Sequence, residues 1–514
     1  MKTSSLLLRM LKPVVYTLAA FISCVLPPAP APVHAADGDL LWAKGFGQAF
    51  NDEGYDIHVD ADGNVYTTGY FRGTVDFDPG PGTVELSSAS NSLDVFICKL
   101  DSNGGLVWAR SIGGPSSDEG WGIVTDALGN VYTTGYFVGT VDFDPGAGSA
   151  PRTSEGSSDI FISKLDGNGN FVGAWTMGGT ADDYGYGILV DGGGNIYSTG
   201  YFKNTVDFDP DPAIGATYPL TSAGIEDIFL SKLDNSGNFV WANKIGGASA
   251  DVGLGISLYS TGSVYLTGWF QGTVDFGAEQ LTSAGGSRDI YVSKLDSSGN
   301  FIWSRAMGGI SEDIGQAVSV DTLGNVYSTG WFIGTADFDP GAGTANLESA
   351  SPSASDIFVS KLDGDGTFVW ARAMGGTAAD VGYGISVDSF GNVFATGGFN
   401  GTADFDPGAG TFNLVSAGAE DIFISKLTAS GHLVWAGAMG GPSADYGYDL
   451  AASADGAVHA IGSFQGTADF DPGAGTLNLT SAGFEDIFVC KLAGPDSFPW
   501  NLFLPAIMNK APRP

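Results

Sequence analysis

Between Asp313 and Gly376 the apolar residues fall into four short runs separated by turn-forming residues. The runs are Ala317–Asp321, Asn325–Phe332, Asp356–Leu362 and Phe368–Met374, here named A, B, C and D. Their β-branched and aromatic content and their partial alternation predict strands rather than helices. The pattern recurs along nearly the whole chain. A Gly-Asn-Val-Tyr phrase or a near variant opens the B run at Gly63, Gly129, Gly194, Gly262, Gly324, Gly391 and Gly456. These seven copies lie 66, 65, 68, 62, 67 and 65 residues apart.

C runs begin at Asp94, Asp159, Asp227, Asp289, Asp356, Asp421 and Asp486. D runs begin at Leu106, Phe171, Phe239, Phe301, Phe368 and Leu433, so the seventh copy lacks one. An orphan D run, Leu40–Gly47, stands before the first copy. Four antiparallel strands cannot bury two apolar faces alone, so each unit needs neighbours. The expected fold is all-β: a seven-bladed β-propeller of four-stranded antiparallel blades. The N-terminal strand is expected to complete the last blade beside Asp486–Leu492. The alternative, an open solenoid, needs polar caps, and neither end of the array supplies one.

Turn chemistry supports the hairpins. Asp60-Ala61-Asp62-Gly63 joins A to B, and Asp363-Gly364-Asp365-Gly366 joins C to D. Asp, Asn and Gly supply the positive φ and local side-chain bonds of tight connections. The B-to-C connection is longer and carries Asp-Phe-Asp-Pro-Gly, shortened to Asp275-Phe276-Gly277 in the fourth copy.

Asp183-Tyr184-Gly185-Tyr186-Gly187-Ile188-Leu189-Val190-Asp191, followed by Gly194-Asn195-Ile196-Tyr197, resembles the SBBP-type bacterial β-propeller repeat. Gly382–Asp388 with Gly391-Asn392-Val393-Phe394 resembles it too. The resemblance covers roughly residues 39–492 and rests on repetition rather than on one motif. It implies a seven-bladed propeller on a secreted or cell-surface bacterial protein. It implies no particular reaction and supplies no catalytic residues.

Composition narrows the function classes. The 514 residues include 79 glycines, only 15% are charged, and the net charge is −36. Such acidity repels phosphate backbones, which excludes nucleic acid as an expected partner. Lys2, Arg9 and Lys12, the apolar Val14–Leu26 and the Val33-His34-Ala35 site read as a signal peptide over residues 1–35. A second reading makes Phe21-Ile22-Ser23-Cys24 a lipobox anchoring the chain at Cys24. No run reaches the roughly 20 apolar residues of a spanning helix. The domain plan is then a propeller over 36–493 and a short apolar tail over 494–514. The tail is read either as a sorting or envelope-attachment segment or as packing on the last blade.

Strand parity gathers the D-to-A and B-to-C loops on one face. Two sets of aspartates lie there. One precedes the A runs: Asp52, Asp118, Asp183, Asp251, Asp313, Asp380 and Asp445. The other is the candidate metal set: Asp76, Asp78, Asp142, Asp144, Asp207, Asp209, Asp337, Asp339, Asp404, Asp406, Asp469 and Asp471, with Asp275 alone in the fourth copy. Calcium, which takes six to eight oxygens, is the cation these loops would suit. The competing reading is that each aspartate caps its own turn or pairs with the lysine of run C.

Those lysines, Lys99, Lys164, Lys232, Lys294, Lys361, Lys426 and Lys491, read as structural ion pairs or packed stems. The D-run tryptophans Trp42, Trp108, Trp241, Trp303, Trp370 and Trp435, with Trp175 displaced by two residues, read as packing, with glycan stacking as the alternative. Trp121, Trp269 and Trp331 are less regular and better placed to meet a ligand. Cys98 and Cys490 share one repeat position roughly 15 Å apart per neighbouring blade, too far for a disulfide. His58, His432 and His459 are scattered, and no His cluster, nucleophile elbow or phosphate loop is visible. No catalytic residue is assigned. The expected function is a secreted or cell-surface, non-enzymatic binding or scaffold module. It is expected to be monomeric and to take a protein or glycan ligand. The alternative is a carbohydrate-active hydrolase or lyase using carboxylates on one face.

Overall fold

The computed structural model describes residues 35–210, 217–277 and 279–494. Residues 1–34, with Cys24 and most of the expected signal peptide, and residues 495–514 of the expected tail lie outside the described residues. In the fifth copy the strands are Asp313–Val320, Val326–Ile333, Ser355–Leu362 and Phe368–Gly376. They extend the expected runs by a few residues and pair in the order A-B-C-D. The A strand starts early because Asp313-Ile314-Gly315 still pairs with Gly330–Phe332.

Each A strand packs against the A strand of the next copy, and that of the last copy packs against that of the first. The result is a closed ring with A innermost, a β-propeller. The orphan strand, Leu40–Phe46, pairs antiparallel with the last C strand, from Leu40↔Leu492 to Phe46↔Ile487. Apolar side chains between consecutive sheets form the core. One cluster holds Phe46, Phe71, Phe77, Phe96, Ile461 and Val489, and so joins the two ends of the chain.

The partition into seven four-stranded blades is corrected. The hydrogen-bonded sheets contain four, six, six, six, four, eight and two strands. The B-to-C insertion is the cause. Its first half forms a short strand such as Thr335–Asp337, which turns back on Asn346–Glu348 and also pairs with the preceding D strand through Gly308↔Asp337. This hairpin therefore extends the preceding sheet. Where it runs on without a break into its own B and C strands, as in Val393–Asp404 and Asn413–Leu427, it fuses the sheets of two copies into the eight-stranded one.

The scarce cations and indoles lock neighbours together. Lys361 Nζ lies 4.7 Å from the Tyr327 ring centroid and donates to Ala429 O, in the C-to-D turn of the next copy, at 3.3 Å. Trp370 Nε1 donates to the same carbonyl at 3.2 Å. Lys232, Lys294 and Trp303 repeat the arrangement. Both recurrent residues are thus structural where these contacts form. Cys98 and Cys490 are free and buried, matching the expectation of two thiols.

Candidate functional site

Every A strand contains a β-bulge at one position. In the fifth copy the register shifts between Gly315 and Ala317, so Gln316 has no partner on the B strand. The equivalent extra residues are Tyr55, Trp121, Tyr186, Leu254, Tyr383 and Tyr448. A bulge re-aims its side chain. Here all seven line one central cavity of about 840 Å³. The preceding glycine lets the rings crowd together: a Cβ at Gly315 would stand 2.6 Å from Thr267 Oγ1 of the neighbouring copy.

Five of the seven bulge residues are aromatic, and they touch. Tyr55 stacks on Trp121 at 4.0 Å and 12°. Tyr448 meets Tyr55 edge-on at 5.4 Å, Tyr383 lies 5.5 Å from Tyr448, and Tyr186 lies 5.2 Å from Trp121. Trp269 and Trp331 complete the lining across the cavity, beside Val252, Leu254 and Ile314. The three irregular tryptophans singled out in the sequence therefore reach the same cavity.

The site also contains carboxylates that the sequence reading missed. Four residues after the first aspartate of A, five copies carry Gly122, Gly187, Gly255, Ala317 and Gly384. The last and first copies carry Asp449 and Asp56, and both line the cavity. They are hydrogen-bonded to each other. Asp56 accepts from Ile57 N at 2.8 Å and from Ile123 N, while Asp449 accepts from Ile57 N at 3.4 Å. Burial, then the neighbouring Asp56, holds Asp449 well above the usual carboxylate range. His58 follows on the same strand, and burial lowers its pKa. Nearer the loops, Glu53 accepts from Tyr70 Oη at 2.5 Å and Tyr448 Oη at 3.2 Å. Glu485 is hydrogen-bonded to Glu53, and burial with that neighbour pushes it up to about 7. The signal was available in the sequence: aligning the A strands residue by residue exposes Asp56, His58 and Asp449 as departures.

The candidate metal set lies elsewhere. Asp337 and its equivalents sit on the short hairpins beyond the D strands, outside the cavity lining. Asp337 Oδ1 accepts from Asp339 N at 3.0 Å and Ala345 N at 2.8 Å, and Asp339 Oδ1 accepts from Gly341 N at 2.8 Å. Asp76 with Asp78, Asp142 with Asp144, Asp404 with Asp406, and Asp469 with Asp471 repeat this geometry. Asp207 does the same with Asp209 N and Tyr218 N. Among the described residues no three His, Cys, Asp or Glu side chains gather as a metal cage. Two carboxylates bonded to their own loop do not match the oxygen-rich shell calcium takes.

The pre-A aspartates are staples. Asp313 is fully buried and accepts from Gly309 N at 2.6 Å and Ile333 N at 3.2 Å. It thereby ties the end of one D strand to the B strand of the next copy.

Fold and site together define a repeat-built β-propeller with a ligand-sized central cavity. No family model matches the chain. It is similar to an uncharacterized WD repeat-containing protein of Acanthamoeba polyphaga mimivirus, 22% identical over 443 residues, covering 71% of this chain and 32% of that protein. The chain thus spans about a third of that relative's length. Among solved structures, the Neurospora crassa Pan2 WD40 domain aligns with 10% identity, over 72% of this chain and 88% of that one, at a TM-score of 0.33. The extracellular domain of a hybrid two-component system from B. thetaiotaomicron aligns with 11% identity, over 86% and 64%, at 0.24.

Proposed function

We propose that this protein is a secreted or cell-surface binding module of the SBBP-repeat type, non-enzymatic, that takes a protein or glycan ligand in its central cavity. One observation carries the reading. Side chains from all seven copies converge on that cavity, and the departures Asp56, His58 and Asp449 lie among them. Concave, mostly apolar sites with a few polar groups are the common form of ligand pockets. The N-terminal signal pattern and the acidity of the chain support export.

The enzyme reading draws on Asp56 and Asp449, the off-pattern carboxyls in the cavity. Glycosidic cleavage needs its two carboxyls about 5 Å or more apart, one on each side of the bond. Asp56 and Asp449 are bonded directly to each other, and Asp56 is held by two backbone amides. Their geometry favours binding over hydrolysis. The test is a glycan and peptide binding screen of the wild type and Trp121→Ala, with soluble products assayed in parallel. Ligands that bind the wild type and are lost in the variant support the module. Ligands retained by Trp121→Ala move the site away from the cavity, and product release restores the enzyme.

A further inference from the structure

The cavity has two unlike halves. On one side the chain supplies its own cations to aromatic faces. The Arg288 guanidinium lies 4.3 Å from the Trp269 ring centroid and pairs with Glu312 at 3.8 Å. Lys203 Nζ lies 5.4 Å from the Tyr201 ring and pairs with Glu226 at 3.3 Å and Asp182 at 3.5 Å. Each is an aromatic ring and a carboxylate holding a cation between them.

The other side has the rings and the carboxylates without the cation. Tyr448, Tyr55 and Trp121 form a continuous wall, and Glu53, Asp56 and Asp449 line the cavity with it. The repeat position of Arg288 is occupied in the last copy by Glu485. Arg72, at the repeat position of Lys203, is turned away onto Phe50 at 4.7 Å and donates to Asn91 O. Among the described residues no Lys or Arg pairs with Glu53, Glu485, Asp56 or Asp449. Like carboxyls are bonded to each other there instead.

We infer that this half of the cavity binds an organic ammonium group on the ligand, seated against Tyr55, Trp121 and Tyr448 and neutralised by Glu53 and Asp56. The inference rests on the cavity reading above and names the chemistry that the cavity selects. Aromatic faces attract cations through the ring quadrupole, most strongly where water is excluded. Nearby carboxylates add a Coulomb attraction that a neutral ligand of the same shape does not feel. The shared group is the ammonium. A quaternary headgroup and a primary amine are its two sources.

The test uses the full chain and three probes: choline, its neutral isostere 3,3-dimethylbutan-1-ol, and butylammonium. Calorimetry and tryptophan fluorescence report binding. Choline or butylammonium is expected to bind at least about tenfold more tightly than the neutral alcohol, the size of a desolvated cation–π contact. The stronger of the two identifies the source. Glu53→Gln is expected to narrow that preference, and Asp337→Asn, on a distant hairpin, to leave it unchanged. Equal affinity for choline and its isostere overturns the inference, as does absence of ammonium binding. The wild-type comparison needs no variant to fold. The ligand screen separates the two failures: a neutral ligand lost in Trp121→Ala leaves the cavity reading standing without the cation.

Discussion

Replacing Asp313 by Asn should change how stability depends on pH, in a direction the structure dictates. Asp313 is fully buried and holds two backbone amides, from Gly309 and Ile333. Burial, only partly offset by those hydrogen bonds, raises its pKa from 3.8 to about 7. The folded state therefore binds its proton more tightly than the unfolded state. Stability from this group is complete below pH 3.8 and is lost as pH rises through about 7. Between pH 5 and pH 8 the linkage for one such group amounts to roughly 2–3 kcal/mol as a ceiling. Asn has no proton to lose. The stability gap between wild type and Asp313→Asn should accordingly be wider at pH 5 than at pH 8 by an amount approaching that ceiling. Urea unfolding followed by tryptophan fluorescence at pH 5, 6.5 and 8 measures it. A gap that is constant to within about 0.5 kcal/mol, or that widens with pH, would refute the reasoning. Asp52, Asp118, Asp183, Asp251 and Asp445 share the shift to about 7, and Asp380 reaches about 6. The wild type as a whole should lose stability from pH 5 to pH 8.

Three further outcomes follow from the geometry. Phe46→Ala removes a buried ring, 6.0 Å from Phe77, from the cluster joining the chain ends, and should cost about 3–5 kcal/mol in denaturant unfolding; a loss below about 1 kcal/mol would mean that the N-terminal strand does not close the ring. Calcium at millimolar concentration should give no calorimetric heat and no shift in melting temperature, because the Asp337 and Asp339 carboxylates already hold their own loop amides; a saturable heat abolished by Asp337→Asn would reverse that. Cys490, whose thiol burial pushes up to about 12, and buried Cys98 should resist a thiol reagent in the folded protein and both become reactive in denaturant; fast labelling of either in the native protein would contradict their burial.

Much of the ring was legible in the chain. Strand runs, Asp/Asn/Gly turns and the orphan Leu40–Phe46 strand are local features, and each repeats often enough to be read by comparison within one sequence. The cavity-lining tryptophans were legible for the same reason, since Trp121, Trp269 and Trp331 break the period. The sheet boundaries were not. Whether an insertion hairpin stays with its own copy or joins the sheet before it depends on the pairing of Gly308 with Asp337, between strands of different copies. The bulge in each A strand was equally hidden, because an extra residue is defined only against a partner strand.

Short-range periodicity and turn chemistry act within a few residues, so the repeating strand order, the turns between strands, the acidity and the recurrent lysines and indoles are written locally along the chain. What the centre of the ring contains depends instead on contacts between distant parts of the chain. Asp56 and Asp449 lie near opposite ends of the chain and become neighbours only when Leu40–Phe46 pairs with Asn478–Leu492. Ring closure, rather than any local preference, turns two isolated departures from the repeat into one hydrogen-bonded pair in a cavity lined by aromatic rings.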